Sequence, residues 1–446
     1  MEKLLKYIEE KMMPYVVKII EFPYLVAIRD AFVTFALPMI IVGSLFLILA
    51  FPPLPQETSI ELLNELRKLA LLYRPVMMVP FQLSYGLMGF FISFGVAYNL
   101  GEYYKLDKVH LGMISIVAFL IVSLPIGVSG QEGIKSIGDF SLRILLNNLG
   151  GEGLFVAILV GVLVTEIFKK VQESGLMIEM PQGVPPRVTH SFEILLPALI
   201  IITIFWLLEW YISSNFIITN LQGEKLPATL PQLIMQFLKP LVQASDTYIA
   251  ALLQIFLMML LWSVGIHGMN IVSAVAYPFW TAALSDNIQA AAVGEQLPHI
   301  VTEPFFHMYT HLGGSGATLP LVFMLLRSRS KQLKQIGRVG LLPGIFNINE
   351  PITFGVPIAF NPLMVVPFIL APSVIVTINY LAMKIGLVAK PIAQLPLTVP
   401  VIIGGFLANH SISGALLQVF DLAIAAVIYY PFFKAWELKM VNREEE

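Results

Sequence analysis

The stretch Asn347-Ile348-Asn349-Glu350-Pro351-Ile352-Thr353-Phe354-Gly355 places a carboxylate in a region that is otherwise apolar for tens of residues on its C-terminal side. A charge at membrane depth costs at least about 2.5–3.5 kcal/mol, so a carboxylate kept there usually has a function. Pro351 cannot donate a backbone hydrogen bond, and other prolines and glycines flank the motif. The stretch therefore predicts a broken segment that lines a cavity, as in transporter binding sites.

The composition defines the class of protein around this motif. The chain has 446 residues, of which 57% are hydrophobic and 13% charged, and its mean hydropathy is +0.80. Soluble domains carry about 25% charged residues. The long, uninterrupted apolar runs differ from the short alternation of a membrane β-barrel, so we predict an all-α polytopic membrane protein. The net charge of −2 gives no reason to expect nucleic acid, and the lack of cysteine excludes disulfides, thiolate metal sites and thiol nucleophiles.

The apolar runs predict about ten transmembrane helices. Candidate spans lie near residues 24–50, 76–99, 109–127, 152–169, 191–215, 248–276, 300–326, 362–386 and 411–433. Segments near 340–360 and 391–409 are apolar but rich in Pro and Gly, and we expect two re-entrant hairpins there. The polar segment 51–75 is expected to be a connector.

The ends of the chain and the polar segment 216–247 predict its organisation. Residues 1–23 mix Lys and Glu and are expected to form an interfacial amphipathic helix, not a cleaved signal peptide. Lys and Arg near both termini predict that both are cytoplasmic. We predict an N-terminal packing half at 24–215 with about five spans, an interfacial linker at 216–247, and a C-terminal substrate half at 248–446.

Two further residues share the chemistry expected of a sugar site with Glu350. His267 lies between two glycines in an apolar run, and Trp262 precedes it by one helical turn and a half. An aromatic ring suits the apolar face of a pyranose, and an imidazole can donate to or accept from a hydroxyl. The alternative is a core histidine bonded to a backbone carbonyl; for Glu350 it is a carboxylate that reaches the interface.

Two other patterns have structural alternatives that we favour. The turn Gly313-Gly314-Ser315-Gly316-Ala317-Thr318 could present backbone amides and hydroxyls to a ligand, but small residues also allow tight helix packing. His299, Glu303, His307 and His311 recur every four residues like a metal stripe. One helical face rarely supplies four converging ligands, so we predict the border of a cavity there and no metal site.

Motifs along nearly the whole chain identify a family. The matching segments are Ile28-Arg29-Asp30, Ile41 to Phe46, Gly183-Val184-Pro185-Pro186, Gly265-Ile266-His267-Gly268, the 313–318 turn, Gly344 to Gly355, Phe360-Asn361-Pro362-Leu363, Gly405 to Ala408, and Ile428 to Phe432. In this order they resemble the membrane subunit IIC of bacterial phosphotransferase-system sugar permeases, in the lactose, cellobiose and diacetylchitobiose branch. The Asn-Glu-Pro block is the most specific part of the resemblance.

The resemblance implies a function and its partners. It implies a homodimer in the bacterial cell membrane, formed through the N-terminal half, with a β-linked disaccharide bound by the C-terminal half beside two re-entrant hairpins. It implies that Glu350 and His267 lie near the sugar's 6-hydroxyl and that Asn349 and Trp262 contact the sugar. The phosphoryl group would come from a phosphocysteine on subunit IIB, charged through IIA, so no cofactor is expected. Because the chain lacks cysteine, IIB must be a separate protein.

One segment departs from the family pattern. Leu397 stands where the family usually has tryptophan, within Leu395-Pro396-Leu397-Thr398-Val399-Pro400, and Asn409-His410 replaces a usually small residue. Loss of an aromatic platform leaves the preferred sugar open, while Gly314, Ser315 and Thr398 complete the predicted sugar contacts. The rival function is a proton-coupled secondary sugar transporter that uses Glu350 and His267 as a proton relay and releases unmodified sugar.

Overall fold

The computed structural model describes residues 22–52, 61–126, 148–151, 153–176, 178, 186–219, 225–358 and 361–445. The predicted interfacial helix at 1–23 lies almost wholly outside these residues. Helices dominate the described chain, as predicted. One short antiparallel hairpin is the exception, in which Ile217 pairs with Pro227 and Thr219 with Lys225.

The elements follow one another along the chain with few long connections between them. The first are α1 (Pro23–Asp30), a π-helical turn (Ala31–Ala36), α2 (Leu37–Ala50), α3 (Glu61–Ser84), a 3₁₀ turn (Tyr85–Leu87), α4 (Met88–Tyr103), α5 (Lys108–Val122), α6 (Leu154–Glu173), α7 (Pro186–Asn215), β1 (Ile217–Thr219) and β2 (Lys225–Pro227). The others are α8 (Leu230–Ser245), α9 (Tyr248–Ser263), α10 (Gly268–Val293), α11 (Glu303–Tyr309), α12 (Leu319–Leu326), α13 (Lys331–Ile345), α14 (Glu350–Gly355), α15 (Pro362–Lys384), α16 (Ile403–Asn409) and α17 (Ile412–Glu445).

The chain divides into two compact units. One contains Glu21–Gly43 and Pro80–Pro240; the other contains Ser44–Val79 and Leu241–Glu446. The sequence predicted a boundary within 216–247, but it did not anticipate that residues 44–79 belong with the C-terminal unit. The functional roles of the two halves stay predictions.

The first unit is held by close helix contacts at small residues. A Cβ added at Gly95 of α4 would lie 2.8 Å from the Cβ of Ala31, and one at Gly161 of α6 would lie 2.8 Å from the Cβ of Val96. Small residues are the usual way for membrane helices to approach closely, because helix association in lipid depends on packing. The Tyr24 hydroxyl donates to Glu166 at 2.9 Å, which pairs a carboxylate that the sequence had placed at the end of a span.

Five helical segments within the described residues are long and apolar enough to cross a membrane. They are Pro23–Ala50, Glu61–Tyr103, Phe192–Asn215, Leu363–Lys384 and Ile412–Glu445. The pair α8 and α9, bent by 72° at its break, would make a sixth if it is one span. Three sequence predictions were wrong in detail. Residues 61–75 are helical rather than a connector, and the spans predicted at 248–276 and 300–326 are interrupted.

Glycines in left-handed conformations explain the interruptions in the second unit. Gly265, with φ +81°, separates α9 from α10, and Gly313, Gly314 and Gly316 have φ between +81° and +97° in the coil between α11 and α12. A side chain is strained in this region, so a helix that reaches such a glycine usually ends there. Each break leaves backbone polar groups that need partners inside the protein.

The backbone is also broken at the quoted motif, as predicted. α13 ends at Ile345, Asn347 has φ +61°, and α14 begins at Glu350 with Pro351 in its first turn. The segment 391–402 is not helical, and α16 begins only at Ile403. Whether these segments are re-entrant in a membrane is not decided by the broken backbone alone.

Candidate functional site

Asn347 joins three segments of the C-terminal unit at the break between α13 and α14. Its Oδ1 accepts from the Gly313 amide at 2.9 Å, and its Nδ2 donates to the carbonyl oxygens of Leu397 and Val399 at 2.8 and 2.9 Å. Asn347 is 7% exposed, so these bonds are made away from water. The residue therefore brings the 313–318 turn and the segment that contains Thr398 to the same place.

Asn349 fastens the same turn from the other side of Ile348. Its Nδ2 donates to the Ser315 carbonyl at 2.5 Å and to Thr318 Oγ1 at 3.2 Å. Gly314 has no room for a side chain, since a Cβ there would lie 2.4 Å from Asn349 Cγ. The predicted contacts Asn349, Gly314 and Ser315 are thus buried together, and Asn349 already uses its amide donor within the protein.

Glu350 is the exposed member of this motif. It occupies the first turn of α14, next to buried Asn349, and its side chain is accessible while Asn349 is 3% exposed. The N-terminal end of a helix favours a negative charge. Thr398, held close by Asn347, is also exposed. An accessible carboxylate beside an accessible hydroxyl can bind several hydroxyl groups of a ligand.

His267 faces Glu350 from the break between α9 and α10. It is the N-cap of α10, and its Nδ1 accepts from the Asn270 amide at 3.3 Å. The sequence had placed it in the middle of a span, and the break at Gly265 accounts for the difference. The Glu350 carboxylate interacts electrostatically with the exposed imidazole. Because Nδ1 is an acceptor, the neutral ring carries its proton on Nε2, which is then available to donate.

Trp262 packs against His267 with the two ring centroids 4.5 Å apart. The indole is 4% exposed, so the sugar platform predicted there is mostly covered in this conformation. Its Nε1 is buried without a partner among the described residues. A buried indole N–H usually finds a partner, so this atom is a donor available for a ligand that enters beside the ring.

The four residues of the predicted metal stripe have separate partners. His299 lies outside α11 and contacts Asp246 at 3.1 Å and Asp286 at 3.0 Å through its two ring nitrogens. His307 pairs with Glu303 on α11, and the Tyr277 hydroxyl donates to the same Glu303 oxygen at 3.4 Å. The His311 ring lies 5.9 Å from that of His307, between centroids. The stripe therefore consists of two separate polar clusters.

Two residues that organise the site carry no signal of this role in the sequence. Asn347 stood in the quoted motif, but nothing in the sequence showed that its partners would be Gly313, Leu397 and Val399. Gln418 of α17 accepts from the Ile402 amide at 2.6 Å and the Gly405 amide at 2.8 Å, and so supports the start of α16. Both partners are distant in sequence, and only tertiary packing reveals them.

Comparison with known proteins decides the family. The sequence model for the phosphotransferase system EIIC family matches residues 29–372 of this chain. The chain belongs to the phosphotransferase-system EIIC family. The resemblance seen in the motifs is thereby confirmed, and the protein is a sugar permease component of the membrane-protein class.

Relatives and a solved structure agree with this assignment. This EIIC protein is 38% identical to the cellobiose-specific EIIC component of Geobacillus stearothermophilus, over 100% of this chain and 97% of the relative. It is 29% identical to the lactose-specific EIICB component of Lacticaseibacillus casei, over 98% and 72% of the two chains. The crystal structure of ChbC, the IIC component of an N,N'-diacetylchitobiose-specific phosphotransferase system, matches with a TM-score of 0.87 and 35% identity and covers 98% of this chain and 99% of that one.

Proposed function

We propose that this EIIC protein binds a β-linked disaccharide of the cellobiose, diacetylchitobiose or lactose type, carries it inward and presents its 6-hydroxyl to subunit IIB. The observation that carries the proposal is the accessible Glu350 carboxylate opposite the His267 imidazole, on two broken segments of one unit. The sugar preferences of the relatives support the substrate class. Leu397, which is 40% exposed beside Thr398, would offer an aliphatic contact where the family usually has a tryptophan.

The chemistry of this site would be base catalysis combined with positioning. Glu350 takes the proton of the 6-hydroxyl while His267 Nε2 donates to a neighbouring sugar oxygen. The oxygen attacks the phosphorus of phosphocysteine on IIB, the O–P bond forms, and the P–S bond breaks to leave a thiolate on IIB. Glu350 then loses its proton to water. This chain supplies no phosphoryl donor, so the reaction needs a separate IIB, with IIA upstream.

The arrangement in the membrane belongs to the same proposal. We infer about ten spans with both termini cytoplasmic, and re-entrant hairpins near 340–360 and 391–409. Residues 24–215 would form the homodimer, and 248–446 would hold the sugar. Movement of the sugar-binding half against the dimer half would alternate access to the site.

The test is to identify the product of transport. Vesicles that contain the full chain are supplied with labelled cellobiose or diacetylchitobiose, phosphoenolpyruvate and the phosphotransferase proteins, including IIA and IIB. The expected internal product is sugar 6-phosphate, formed only when IIB is present. Accumulation of free sugar without any phosphoryl donor, driven by a proton gradient, would overturn the proposal in favour of a proton-coupled transporter.

A further inference from the structure

A groove outside the candidate sugar site runs between α12 and α17. Its volume is about 680 Å³. Its apolar walls are formed by Pro320, Phe323 and Met324 on α12 and by Leu422, Ala423 and Ala426 on α17. Phe323 is 43% exposed, so the described residues leave this surface uncovered. In a membrane protein, an open apolar groove on the outside of a helix pair is in contact with acyl chains.

Two cations lie at one end of this groove. Arg327 is the C-cap residue of α12, and Lys434 lies on α17 one turn beyond Tyr430. Both side chains are accessible, and Tyr430 is 55% exposed. The Lys434 ammonium lies 6.0 Å from the centre of the Tyr430 ring. The groove thus changes along its length from wholly apolar to cationic and aromatic.

The charge at this end is net positive. Lys434 Nζ donates to Glu437 at 2.7 Å, and Glu437 also accepts from the Arg329 backbone amide at 2.8 Å. Arg327 forms no ion pair with any described residue, and no carboxylate lines the groove. A guanidinium without a counter-ion, next to an ammonium that still has two free donors, matches an anion with several oxygens, above all a phosphate.

We propose that this groove binds one anionic phospholipid, with an acyl chain along the apolar walls and the phosphate between Arg327 and Lys434. A free phosphate would leave the apolar walls unfilled, and a soluble partner protein would have to bury a surface that is suited to lipid. The site lies outside the residues assigned to the sugar, so it does not depend on the proposed function. Arg327 then belongs to the lipid, although the neighbouring basic residues remain available to IIB.

The test measures lipid bound to the purified full chain by native mass spectrometry, with phosphatidylglycerol and phosphatidylcholine as the two probes. Phosphatidylglycerol should bind more tightly. Each of Arg327→Gln and Lys434→Gln should weaken it about fivefold, and the double variant about 30-fold, since a basic residue near anionic lipid contributes about this factor. Ala423→Trp fills the apolar part of the groove with both cations intact, and it should weaken binding as well.

Lys439→Gln is the matched control. It removes one cation from the same helix, next to Trp436 and outside the groove, and should leave binding unchanged. Thermal unfolding of each variant shows that the fold is kept. Equal binding of the two lipids, full binding by the double variant or by Ala423→Trp, or an equal loss in Lys439→Gln would each overturn the proposal.

Two other occupants give different results. If sn-glycerol 3-phosphate displaces phosphatidylglycerol at equal concentration, the site is one for free phosphate. If the double variant keeps its lipid but slows phosphorylation by charged IIB, the two cations serve the partner subunit. Either result would overturn the lipid assignment.

Discussion

The side-chain amide of Asn347 donates to the carbonyl oxygen of Leu397 at 2.8 Å, across 50 residues of sequence. Through this bond the break before Glu350 is tied to the segment that carries Thr398. Asn347 adopts φ +61°, a conformation that asparagine tolerates better than most residues. One residue therefore meets the backbone requirement of the break and also holds together the segments around the candidate site.

Replacing Asn347 should destabilise the C-terminal unit. Asn347→Ala leaves the Gly313 amide and the Leu397 and Val399 carbonyls without this partner, and we expect a loss of about 1–3 kcal/mol in unfolding free energy. Thermal unfolding in detergent measures the effect. Ile348→Ala, at a residue that is 44% exposed, is the control and should change the midpoint little. Equal midpoints for both variants would show that the Asn347 bonds do not hold the unit.

Gly314 should be sensitive because Asn349 lies against it. Gly314→Ala combines φ +97° with a Cβ only 2.4 Å from Asn349 Cγ, whereas Gly386→Ala has a similar left-handed strain at φ +76° and open space around it. We expect Gly386→Ala to cost about 1 kcal/mol and Gly314→Ala clearly more, with sugar binding lost as well. The difference between the two unfolding midpoints reports the contact with Asn349. If the two variants behave alike, that contact carries no weight.

Glu350, His267 and Trp262 should separate binding from chemistry. Glu350→Gln keeps the size and removes the base, so it should abolish sugar phosphate formation more severely than it weakens sugar binding. His267→Ala should weaken both, with about 1–3 kcal/mol lost from binding. Trp262→Ala should chiefly weaken binding, through the lost ring contact.

The measurements for this series are equilibrium binding of a labelled β-disaccharide and single-turnover phosphorylation by charged IIB. Trp280→Phe is a matched aromatic control, since Trp280 is fully buried and bonded to Gln254 at 2.8 Å. Phosphorylation at the wild-type rate by Glu350→Gln would mean that another residue is the base.

His299 should make stability depend on pH. It lies in the coil between α10 and α11; burial opposes its protonation, but hydrogen bonds to Asp246 and Asp286 outweigh this and raise its pKa to about 9. A raised pKa means that the folded state holds a proton that the unfolded state releases near pH 6.5. The stabilisation is complete below about pH 6.5 and is lost as the pH rises to about 9.

Thermal unfolding between pH 6 and 9.5 checks this. The midpoint of the native protein should fall across the interval, and His299→Gln should be less stable at pH 6 and should show a flatter profile. His110→Gln, at an exposed ring beside Asp107, is the control for a histidine elsewhere in the chain. An identical slope for native protein and His299→Gln would exclude His299 as the source.

Cysteine labelling can establish the topology, because the chain has no cysteine of its own. Leu5→Cys and Glu445→Cys place one thiol near each terminus. Glu445 is preferred to Glu444, which accepts from Ser330 Oγ at 2.6 Å and from the first amides of α13. An impermeant reagent added to whole cells should label neither thiol until the membrane is opened. Labelling of either in intact cells would contradict the cytoplasmic termini.

Local chemistry was enough to predict the class and the family. Long apolar runs need a bilayer, and Pro351 with its flanking glycines cannot continue a helix, so the break beside Glu350 could be read directly from the sequence. The Asn-Glu-Pro block and its neighbours identified the EIIC family because these motifs are specific and occur in a fixed order. The paired candidates Glu350 and His267 followed from the cost of polar groups among apolar ones.

The tertiary structure decided which segments meet. Apolar periodicity shows that a run is helical, but it does not show where a left-handed glycine interrupts it; this is why the spans predicted at 248–276 and 300–326 proved to be broken. Hydrogen bonds between distant segments leave no trace in local sequence, so the roles of Asn347 and Gln418 could not be foreseen. Burial, likewise, is a property of the packed chain: it turned Asn349 towards the turn at 313–318 and left Glu350, its neighbour, accessible for a ligand.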